Sequence, residues 1–474
     1  MHGHRRGCGK SRRKPSTKVN IAEDIFKRAD PRSTAILHAA ATTTYHDLDL
    51  KSAAFAEALR PYLLGRPHPR VGLSHPDSAD YIAMALGIVR AGGCLVPVAP
   101  ELSMQERAQL IHEIALDALV TTDKAGSVAI ASLPTPDVPP DWLARLAEVA
   151  PAFIRFTSGT TGESKGIVLS HQTLVERITA ANARLGIGPA DRVLWVLPMS
   201  HHFAVSIMLY LWHGAAIVLP TSHLAGDILQ AAKSNHASVI YAAPFHFELL
   251  AATDDGTWPD LRLAVSTTAA LPRATAEKFS RTFNVFPAQG LGIIEVGLPC
   301  LNIPAPEARP DSIGRPQPAF EVEVRPPLNQ LYIRGPGFLD AYLSPWKARA
   351  DILDADGWFA TGDIAETDAE GFVTLRGRSR AVIGVGGMKF FPEEVERVLA
   401  SHPSIRAARV SGRPHPDFGM VPIAEVVVDP DASRPAPVEL MGLCRRQLSR
   451  YKVPAEIRFV EKIPLTPSGK IKRT

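Results

Sequence analysis

Short apolar runs alternate along the chain with longer stretches in which apolar residues recur at helical spacing. Arg70–Leu73, Gly93–Val98 and Ala215–Leu219 have the length and apolar character of buried strands. Ser78–Ala91 and Thr173–Leu185 have the period of an amphipathic helix. Strands that alternate with helices in this way predict an α/β fold.

The pattern changes near Gly371. A short strand is predicted over Phe372–Leu375, a glycine-rich turn follows at Gly384–Gly387, and Pro392–Leu399 has the spacing of an amphipathic helix. Two further strands are predicted around residues 407–410 and 423–428. This succession indicates a second, smaller α+β unit.

We therefore expect three parts in the chain. Residues 1–16 are a basic tail whose expected state is disorder. Residues 17–378 are expected to form a large N-terminal domain of β-sheets layered with α-helices, and residues 379–474 a small, mobile C-terminal lid. The hinge between them is expected near Arg380.

The positive charge of the chain is concentrated at its N-terminus. The net charge of the chain is +4, and seven of its 52 Lys and Arg residues lie in Met1–Lys18, which holds no acidic residue. Residues 19–474 therefore carry 45 basic and 48 acidic residues. This balance does not indicate a nucleic-acid surface. No apolar run reaches the ~20 residues of a membrane span. The four cysteines lie far apart without a CxxC pair, which disfavours a zinc site and favours a reducing, cytoplasmic setting.

A segment rich in glycine and hydroxyl groups lies between two strand-like runs. Phe153–Phe156 and Ile167–Leu169 are apolar, and Thr157–Gly166 lies between them with Lys165 near its end. Glycines let backbone N–H groups converge on anionic oxygens, and the hydroxyls and the lysine add donors and charge, so the segment suits a polyphosphate. It is not a Walker A loop, because Ser164 rather than glycine precedes the lysine. The alternative interpretation is a flexible surface loop.

With this segment and several others in order, the sequence resembles the adenylate-forming superfamily of acyl- and aryl-CoA ligases, peptide-synthetase adenylation domains and luciferases. The resemblance covers about residues 20–474, with Ser164 at a position where the family usually has proline. The other segments that carry it are Thr44–Leu48, Ala91–Pro97, Gly357–Asp363 and Pro464–Lys470.

The resemblance implies ATP and Mg²⁺ as cofactors. The nucleotide-binding residues that it implies are Thr157, Ser158, Gly159, Thr160, Thr161, Gly162, Lys165, Gly290, Asp363 and Arg378. Among these, Asp363 and Arg378 are expected at the ribose. Glu295, together with Thr161, is expected to bind the metal, since a hard cation takes oxygen ligands and bridges phosphates.

Lys470 is the expected catalytic residue on the lid. A lysine delivered there bridges the substrate carboxylate and the α-phosphate, and stabilises the charge that builds in transfer. The family uses two lid orientations, one for each half-reaction. In the second orientation, Gly386, Gly387 and Lys389 are expected along the path of the thiol.

The pocket for the acid is expected beside His201. This histidine lies in Pro198–Phe203, which matches a family motif at the acyl group, and the resemblance also gives it a catalytic role. The other implied pocket residues are His202, Phe203, Thr267, Thr268 and Gly292. Residues 202–209 hold no acid that could pair with an α-ammonium group, which favours an aryl or medium aliphatic acid over an amino acid.

Besides Ser164, three sites depart from the family pattern. Thr267–Thr268 stands where the family usually has two glycines, and its side chains would crowd the approach to the acyl group or adenine. Leu291 replaces an aromatic residue that stacks on adenine, and Ile294 replaces a threonine that helps to bind phosphate. The expected catalytic charges are nevertheless all present.

The sequence thus predicts ATP-dependent activation of a small carboxylic acid to acyl-AMP, with pyrophosphate release, and then transfer to a thiol, with coenzyme A as the expected acceptor. One alternative is a stand-alone adenylation enzyme that loads an acyl carrier protein in trans through its phosphopantetheine thiol, because no carrier domain follows Lys470. The other is a degenerate homologue that binds nucleotide or acyl ligand without turnover. The identity of the acid, the pathway and the oligomeric state are left open.

Overall fold

The structure is a computed structural model that describes most of the chain. The described residues are 19–100, 102, 104–123, 126–134, 140–157, 165–253, 257–378, 383–385, 388–390, 392–415, 419–448 and 450–464. The predicted tail lies outside them.

The described strands are numbered in chain order. They are β1 (Thr34–His38), β2 (Ala41–Thr44), β3 (Arg70–Ser74), β4 (Cys94–Pro97), β5 (Ala118–Thr122), β6 (Val128–Ser132), β7 (Pro151–Thr157), β8 (Lys165–Ser170), β9 (Arg192–Trp195), β10 (Ala216–Leu219), β11 (Val239–Ala242), β12 (Leu263–Ser266), β13 (Ala288–Ile293), β14 (Gly297–Leu301), β15 (Arg315–Pro316), β16 (Glu321–Arg325), β17 (Gln330–Arg334), β18 (Ala341–Tyr342), β19 (Lys347–Ala348), β20 (Phe359–Thr367), β21 (Val373–Arg378), β22 (Ile383–Val385), β23 (Met388–Phe390), β24 (Ile405–His415), β25 (Gly419–Val428) and β26 (Glu456–Phe459).

The described α-helices are numbered in the same way. They are α1 (Ile21–Arg28), α2 (Tyr45–Leu63), α3 (Ala79–Arg90), α4 (Met104–Ile114), α5 (Pro140–Val149), α6 (His171–Leu185), α7 (Met199–His202), α8 (Met208–Trp212), α9 (Ala225–Ser234), α10 (Pro244–Ala251), α11 (Arg273–Phe283), α12 (Arg349–Ile352), α13 (Pro392–Ala400) and α14 (Pro437–Gln447). A π-helical turn, Phe203–Ile207, joins α7 to α8, and a 3₁₀ turn covers Arg450–Lys452.

Two large mixed sheets form the N-terminal part. One has nine strands in the order β15-β14-β13-β12-β11-β9-β10-β1-β2, and the six from β13 to β1 are mutually parallel. The other has eight strands in the order β19-β18-β8-β7-β4-β3-β5-β6, of which β7, β4, β3 and β5 are parallel. Their parallel centres are the α/β arrangement that the alternating pattern predicted.

Apolar side chains divide between the two faces of each large sheet. In β9, Val193 and Trp195 belong to a core between the two sheets, whereas Leu194 points to the opposite face and packs with helices α9, α10 and α11. Helices α1, α3, α6 and α8 contribute to the core between the sheets, and α4 and α5 cover the outer face of the eight-stranded sheet. The large sheets are therefore layered with helices, as predicted.

The remaining strands form two smaller sheets. The strands β16, β17, β20 and β21 make an antiparallel sheet. After it, β22 to β26 form a five-stranded sheet with its own apolar core, to which helices α13 and α14 contribute. A separate core is the mark of a separate domain. The prediction of a smaller C-terminal domain is confirmed, whereas the exact boundary at 378/379 and the hinge at Arg380 stay predictions.

Local signals in the sequence set the ends of the predicted helices. Ser170 caps helix α6, since its hydroxyl accepts from the Thr173 N–H at 3.2 Å, and Gly186 ends the helix with φ +59°. Ser78 caps α3 in the same way through the Tyr81 N–H, at 3.1 Å. Both predicted helices are confirmed. In the described part of the chain, no helix is long and apolar enough to cross a membrane.

His246 is a buried histidine in the first turn of α10. It is 3% exposed, and its Nδ1 accepts from the Ala243 N–H at 3.3 Å. Burial, with a smaller contribution from the nearby His223, lowers the pKa of His246 to about 4. An unfolded histidine has a pKa of about 6.5. The neutral ring therefore favours the folded state fully above about pH 6.5, and this stability is lost as the pH falls toward 4.

We predict that His246→Gln makes the protein less sensitive to acid, because glutamine can still accept the Ala243 N–H but does not titrate. Between about pH 7.5 and about pH 5, the wild type should lose about 2 kcal/mol more free energy of unfolding than this variant. Urea denaturation at the two pH values measures the difference, with the exposed His46→Gln as control. Equal pH dependence in wild type and His246→Gln would show that the buried ring is not the titrating group.

Candidate active site

The predicted acid pocket lies at one edge of the nine-stranded sheet. The strands β9, β11, β12 and β13 are parallel, so their carboxyl ends meet at the same edge. Helix α7 with His201 follows β9, Thr267 and Thr268 follow β12, and Gly292 lies near the end of β13. Open α/β sheets bind ligands at this edge. The fold thus brings together segments that are about 90 residues apart in the chain.

His201 is a half-buried, neutral histidine. Its Nδ1 lies 2.9 Å from the Ser200 hydroxyl. Burial lowers the pKa of His201 to about 4, and the positive charge of Arg155 acts in the same direction. At neutral pH the imidazole can therefore form hydrogen bonds with a ligand without contributing a charge.

Both ends of the short helix α7 are held by charged side chains. The Met199 N–H donates to the two carboxylate oxygens of Asp77, at 3.0 and 3.1 Å. Nη1 of Arg155 donates to the His201 carbonyl, at 2.6 Å. Asp77 follows β3 and Arg155 lies on β7, so both come from the eight-stranded sheet side. They satisfy backbone groups that a four-residue helix leaves without partners, and so fix His201 relative to both sheets.

The two residues after His201 differ in position. His202 is half-buried, with its ring edge-on to Trp195 at a centroid distance of 6.0 Å. Phe203 is fully buried in the core between the sheets, and its ring packs 5.8 Å from that of Tyr81. Phe203 thus packs in the core, and its place in the wall of the acid pocket stays a prediction.

The Thr267–Thr268 pair has an unusual backbone. Thr268 has φ +75°, a left-handed conformation that costs a β-branched residue ~1–2 kcal/mol. Thr267 is buried, and its side chain partly offsets the rise that burial causes in the pKa of Tyr241. A Cβ on Gly292 would lie 3.5 Å from Thr267 Oγ1 and 3.9 Å from the Tyr241 hydroxyl. Tyr241, Thr267 and Gly292 thus lie side by side, and the crowding of a ligand by the threonine side chains stays a prediction.

The glycine-rich end of β13 combines core and site positions. Gly290 is half-buried, and a Cβ there would lie 3.1 Å from Leu301. Leu291 is 8% exposed and belongs to the core between the sheets. At the position where an aromatic residue was expected beside adenine, this chain therefore has a core leucine.

Glu295 lies in the tight turn between β13 and β14. Its carboxylate accepts from the Tyr342 hydroxyl at 3.2 Å, and its carbonyl accepts from the Leu339 N–H at 2.7 Å. The side chain is half-buried. These bonds fix the carboxylate at the edge where the pocket residues meet.

The buried side chain of Arg177 holds this turn in place. It is 1% exposed on helix α6, and its guanidinium donates to the carbonyls of Ile294 at 2.7 Å, Glu295 at 3.2 Å and Gly337 at 2.7 and 3.0 Å. Burial lowers the pKa of Arg177 to about 10, and the negative charge of Glu295 opposes that effect. The arginine is thus a buried connector of α6, the Glu295 turn and the Gly337 turn.

Two glycines make room for Arg177. Gly297 has φ +109°, and a Cβ there would lie 2.9 Å from Arg177 Cγ. Gly337 has φ +71°, and a Cβ there would lie 2.8 Å from the Arg177 backbone. Any side chain at either position would displace the arginine.

The residues predicted at the ribose are neighbours in the small antiparallel sheet. Asp363 on β20 pairs in register with Arg378 at the end of β21. Asp363 is 5% exposed, and its N–H donates to the Thr361 hydroxyl at 3.0 Å. The fold brings the two positions together, and their ribose contacts stay predictions.

Several predicted site residues lie outside the described residues: Ser158, Gly159, Thr160, Thr161, Gly162, Arg380, Gly386, Gly387 and Lys470. The side chains of Thr157, Lys165, Arg378 and Lys389 also lie outside the description. The flanking strands of the phosphate segment are confirmed, since β7 and β8 pair antiparallel with Thr157 opposite Lys165.

The sequence motifs do not include Arg155, Arg177 or Tyr342, which the structure places at the site. Arg155 interrupts the apolar run Phe153–Phe156, and Arg177 lies three residues after Leu174 on the apolar face of α6. A charged residue at an apolar position is unusual, because arginine is almost never buried without partners. That irregularity was the available signal. Tyr342 carries no such signal, because only the tertiary structure brings it to Glu295.

The described residues are compatible with a magnesium ion bound mainly by its nucleotide. No group of three or more His, Cys, Asp or Glu side chains in the described part of the chain could hold a metal by itself. The fixed carboxylate of Glu295 offers one oxygen ligand beside the Tyr342 hydroxyl. Mg²⁺ is commonly held by one or two carboxylates together with substrate phosphates and water, which this arrangement fits.

Comparisons with known proteins match both the large N-terminal part of the chain and the C-terminal domain. Residues 25–343 match the family described as AMP-binding enzyme, and residues 394–470 match the AMP-binding enzyme C-terminal domain. A sulfoacetate–CoA ligase of Cupriavidus necator is 30% identical over 87% of this chain and 78% of its own length. A feruloyl-CoA synthase of an Amycolatopsis species is 28% identical over 94% of this chain and 95% of its own.

A solved structure shares the fold. The O-succinylbenzoate coenzyme A synthetase of Bacillus subtilis, in complex with AMP, superposes with a TM-score of 0.83 at 22% identity, over 96% of this chain and 97% of the other. Because the family match covers more than half of the residues and its C-terminal domain follows in order, the chain belongs to the AMP-binding enzyme family and is an ATP-dependent, acid-activating ligase.

Proposed function

We propose that this ligase converts an aryl or medium aliphatic acid to its acyl-AMP with release of pyrophosphate, and then transfers the acyl group to coenzyme A. The observation that carries the proposal is the meeting of His201, Thr267 and Gly292 at one sheet edge, next to the fixed carboxylate of Glu295. ATP–pyrophosphate exchange with a panel of aryl, aliphatic and amino acids tests it. No exchange with any acid would instead favour the homologue without turnover.

The chemistry requires two anions to approach each other. A carboxylate attacks the α-phosphate, so fixed positive charge and positioning lower the barrier most. The described site supplies a neutral His201, a cationic Arg155 and a rigid Glu295 turn. When bound, Mg²⁺ at Glu295 would neutralise phosphate charge.

The lid completes the proposed site. Lys470 supplies the charge for adenylation, and Gly386, Gly387 and Lys389 line the thiol path after the domain turns about Arg380. These roles rest on the family resemblance of the matched motifs. The rotation lets one site perform two steps.

Coenzyme A is the proposed acceptor because the two relatives described above are named for coenzyme A thioesters. The alternative acceptor is a phosphopantetheinylated carrier protein. Adding either thiol to enzyme that has formed acyl-AMP distinguishes them. A cytoplasmic setting stays a prediction.

The first prediction for this function concerns Lys470. Lys470→Ala should lower the rate of acyl-adenylate formation by roughly two to four orders of magnitude, because it removes a positive charge that stabilises the transition state. Synthetic acyl-AMP should still be converted to thioester, since the lysine acts in the first half-reaction only. Pyrophosphate release at a near-normal rate in the variant would refute the role.

The second prediction concerns Glu295. Glu295→Gln keeps the size of the side chain but removes its charge, so the Mg²⁺ concentration for half-maximal pyrophosphate exchange should rise at least ~10-fold. Tyr342→Phe removes only the hydrogen bond to the carboxylate and should have a smaller effect. An unchanged Mg²⁺ dependence in Glu295→Gln would place the metal elsewhere.

The third prediction concerns the acid. An α-ammonium group in the pocket would face the positive charge of Arg155. Segment 202–209 holds no carboxylate to pair with it, and the carboxylate of Glu248 lies on an exposed position of α10. We expect amino acids to be activated at least ~100-fold less well than matched aryl or fatty acids, about 3 kcal/mol of discrimination. Exchange with phenylalanine against hydrocinnamate measures the ratio. A preference for phenylalanine would reverse the assignment.

A further inference from the structure

Arg155 is a charged residue in the site that no family motif accounts for. It lies near the carboxyl end of β7, between the apolar core residues Phe153 and Ile154 and the partly buried Phe156. Because side chains alternate along a strand, Arg155 is on the same face as Phe153, which packs in the core between the two sheets. The guanidinium therefore points toward the region between the sheets where α7 lies.

One nitrogen of Arg155 has a clear structural task. Nη1 donates to the His201 carbonyl at 2.6 Å, while Asp77 holds the other end of the same helix. This contact uses one of the five N–H groups of the guanidinium. Arg177 differs, because its Nε, Nη1 and Nη2 all donate to backbone carbonyls.

The charge of Arg155 has no direct counter-ion in the described part of the chain. Glu295 stabilises the charged form through space, without an ion pair between the two side chains. Burial acts against the charge and lowers the pKa of Arg155 to about 10, so the group remains cationic at neutral pH. A half-buried cation without a counter-ion is unfavourable, and an anionic ligand would remove that cost.

We propose that Arg155 is a specificity-determining residue that binds a carboxylate oxygen of the acid substrate through N–H groups not used by the His201 carbonyl. This inference rests on the proposed function, since it assigns a ligand to the same pocket. Guanidinium groups bind carboxylates with two parallel hydrogen bonds, which fixes the orientation of the acid as well as its charge. The bond to His201 then couples the position of the acid to that of the neighbouring imidazole.

Two carboxylates could supply this oxygen. One is the reacting carboxylate of any acid, and the other is a second acidic group at the far end of a dicarboxylate. Benzoate with its uncharged analogue benzamide probes the first, and terephthalate with benzoate probes the second. Equilibrium dissociation constants by calorimetry give both ratios without requiring turnover.

The decisive variants are Arg155→Gln and Asp77→Asn. Glutamine keeps an N–H donor for the His201 carbonyl but removes the charge, and Asp77→Asn weakens the other end of α7 while leaving Arg155 in place. In Arg155→Gln, the preference for benzoate over benzamide, or for terephthalate over benzoate, should fall ~10- to 100-fold, the range for a charged hydrogen bond. In Asp77→Asn both ratios should stay within about 3-fold of the wild type.

Each outcome decides between binding and structure. Loss of the first ratio identifies the reacting carboxylate, and loss of only the second identifies a distal acid group. The proposal fails if the wild type shows neither preference or if Arg155→Gln changes neither ratio. It also fails if Asp77→Asn lowers the ratios as much as Arg155→Gln does, because the arginine would then only support α7. ATP–pyrophosphate exchange by the wild type with the acid panel tests the proposed function separately from these ratios.

Discussion

The buried guanidinium of Arg177 is the interaction on which the geometry of the site depends. It gathers the carbonyls of Ile294, Glu295 and Gly337 around a fully enclosed charge, and so joins helix α6 to two turns that are distant in sequence. Burying a cation is costly unless its N–H groups are satisfied, so the arrangement tolerates little displacement. The Glu295 turn is thereby positioned by the core.

A second pair of charges fixes the acid side of the site. Asp77 and Arg155 come from the side of the eight-stranded sheet and bind the two ends of helix α7. This helix follows β9 of the nine-stranded sheet. The pocket histidine therefore depends on the packing of two sheets against each other, and a change in their separation would move His201. The helix is followed by a π-helical turn, a rare conformation that is frequent at functional sites.

The positions that depart from the family pattern have been accommodated in different ways. Leu291 packs in the core between the sheets. Ile294 lacks the threonine hydroxyl expected at phosphate, and its backbone carbonyl accepts from Arg177. Thr268 is less well accommodated, since it keeps a left-handed φ that a glycine would adopt freely. Strain of this kind persists where the surrounding structure over-determines a conformation.

The sequence by itself determined the elements whose signals are local. Helix α6 was predicted from its apolar period, and the same kind of pattern predicted β7, β8 and the separate C-terminal unit. It also indicated Glu295, Asp363 and Arg378 as charged site residues, because motifs retain residue type and order, but it missed Arg155 and Arg177. Only the tertiary structure decided which way Phe203 faces, and which groups meet Glu295 and His201. Those contacts join residues as far apart as Asp77 and Met199, and no local pattern encodes the sheet packing that makes them neighbours.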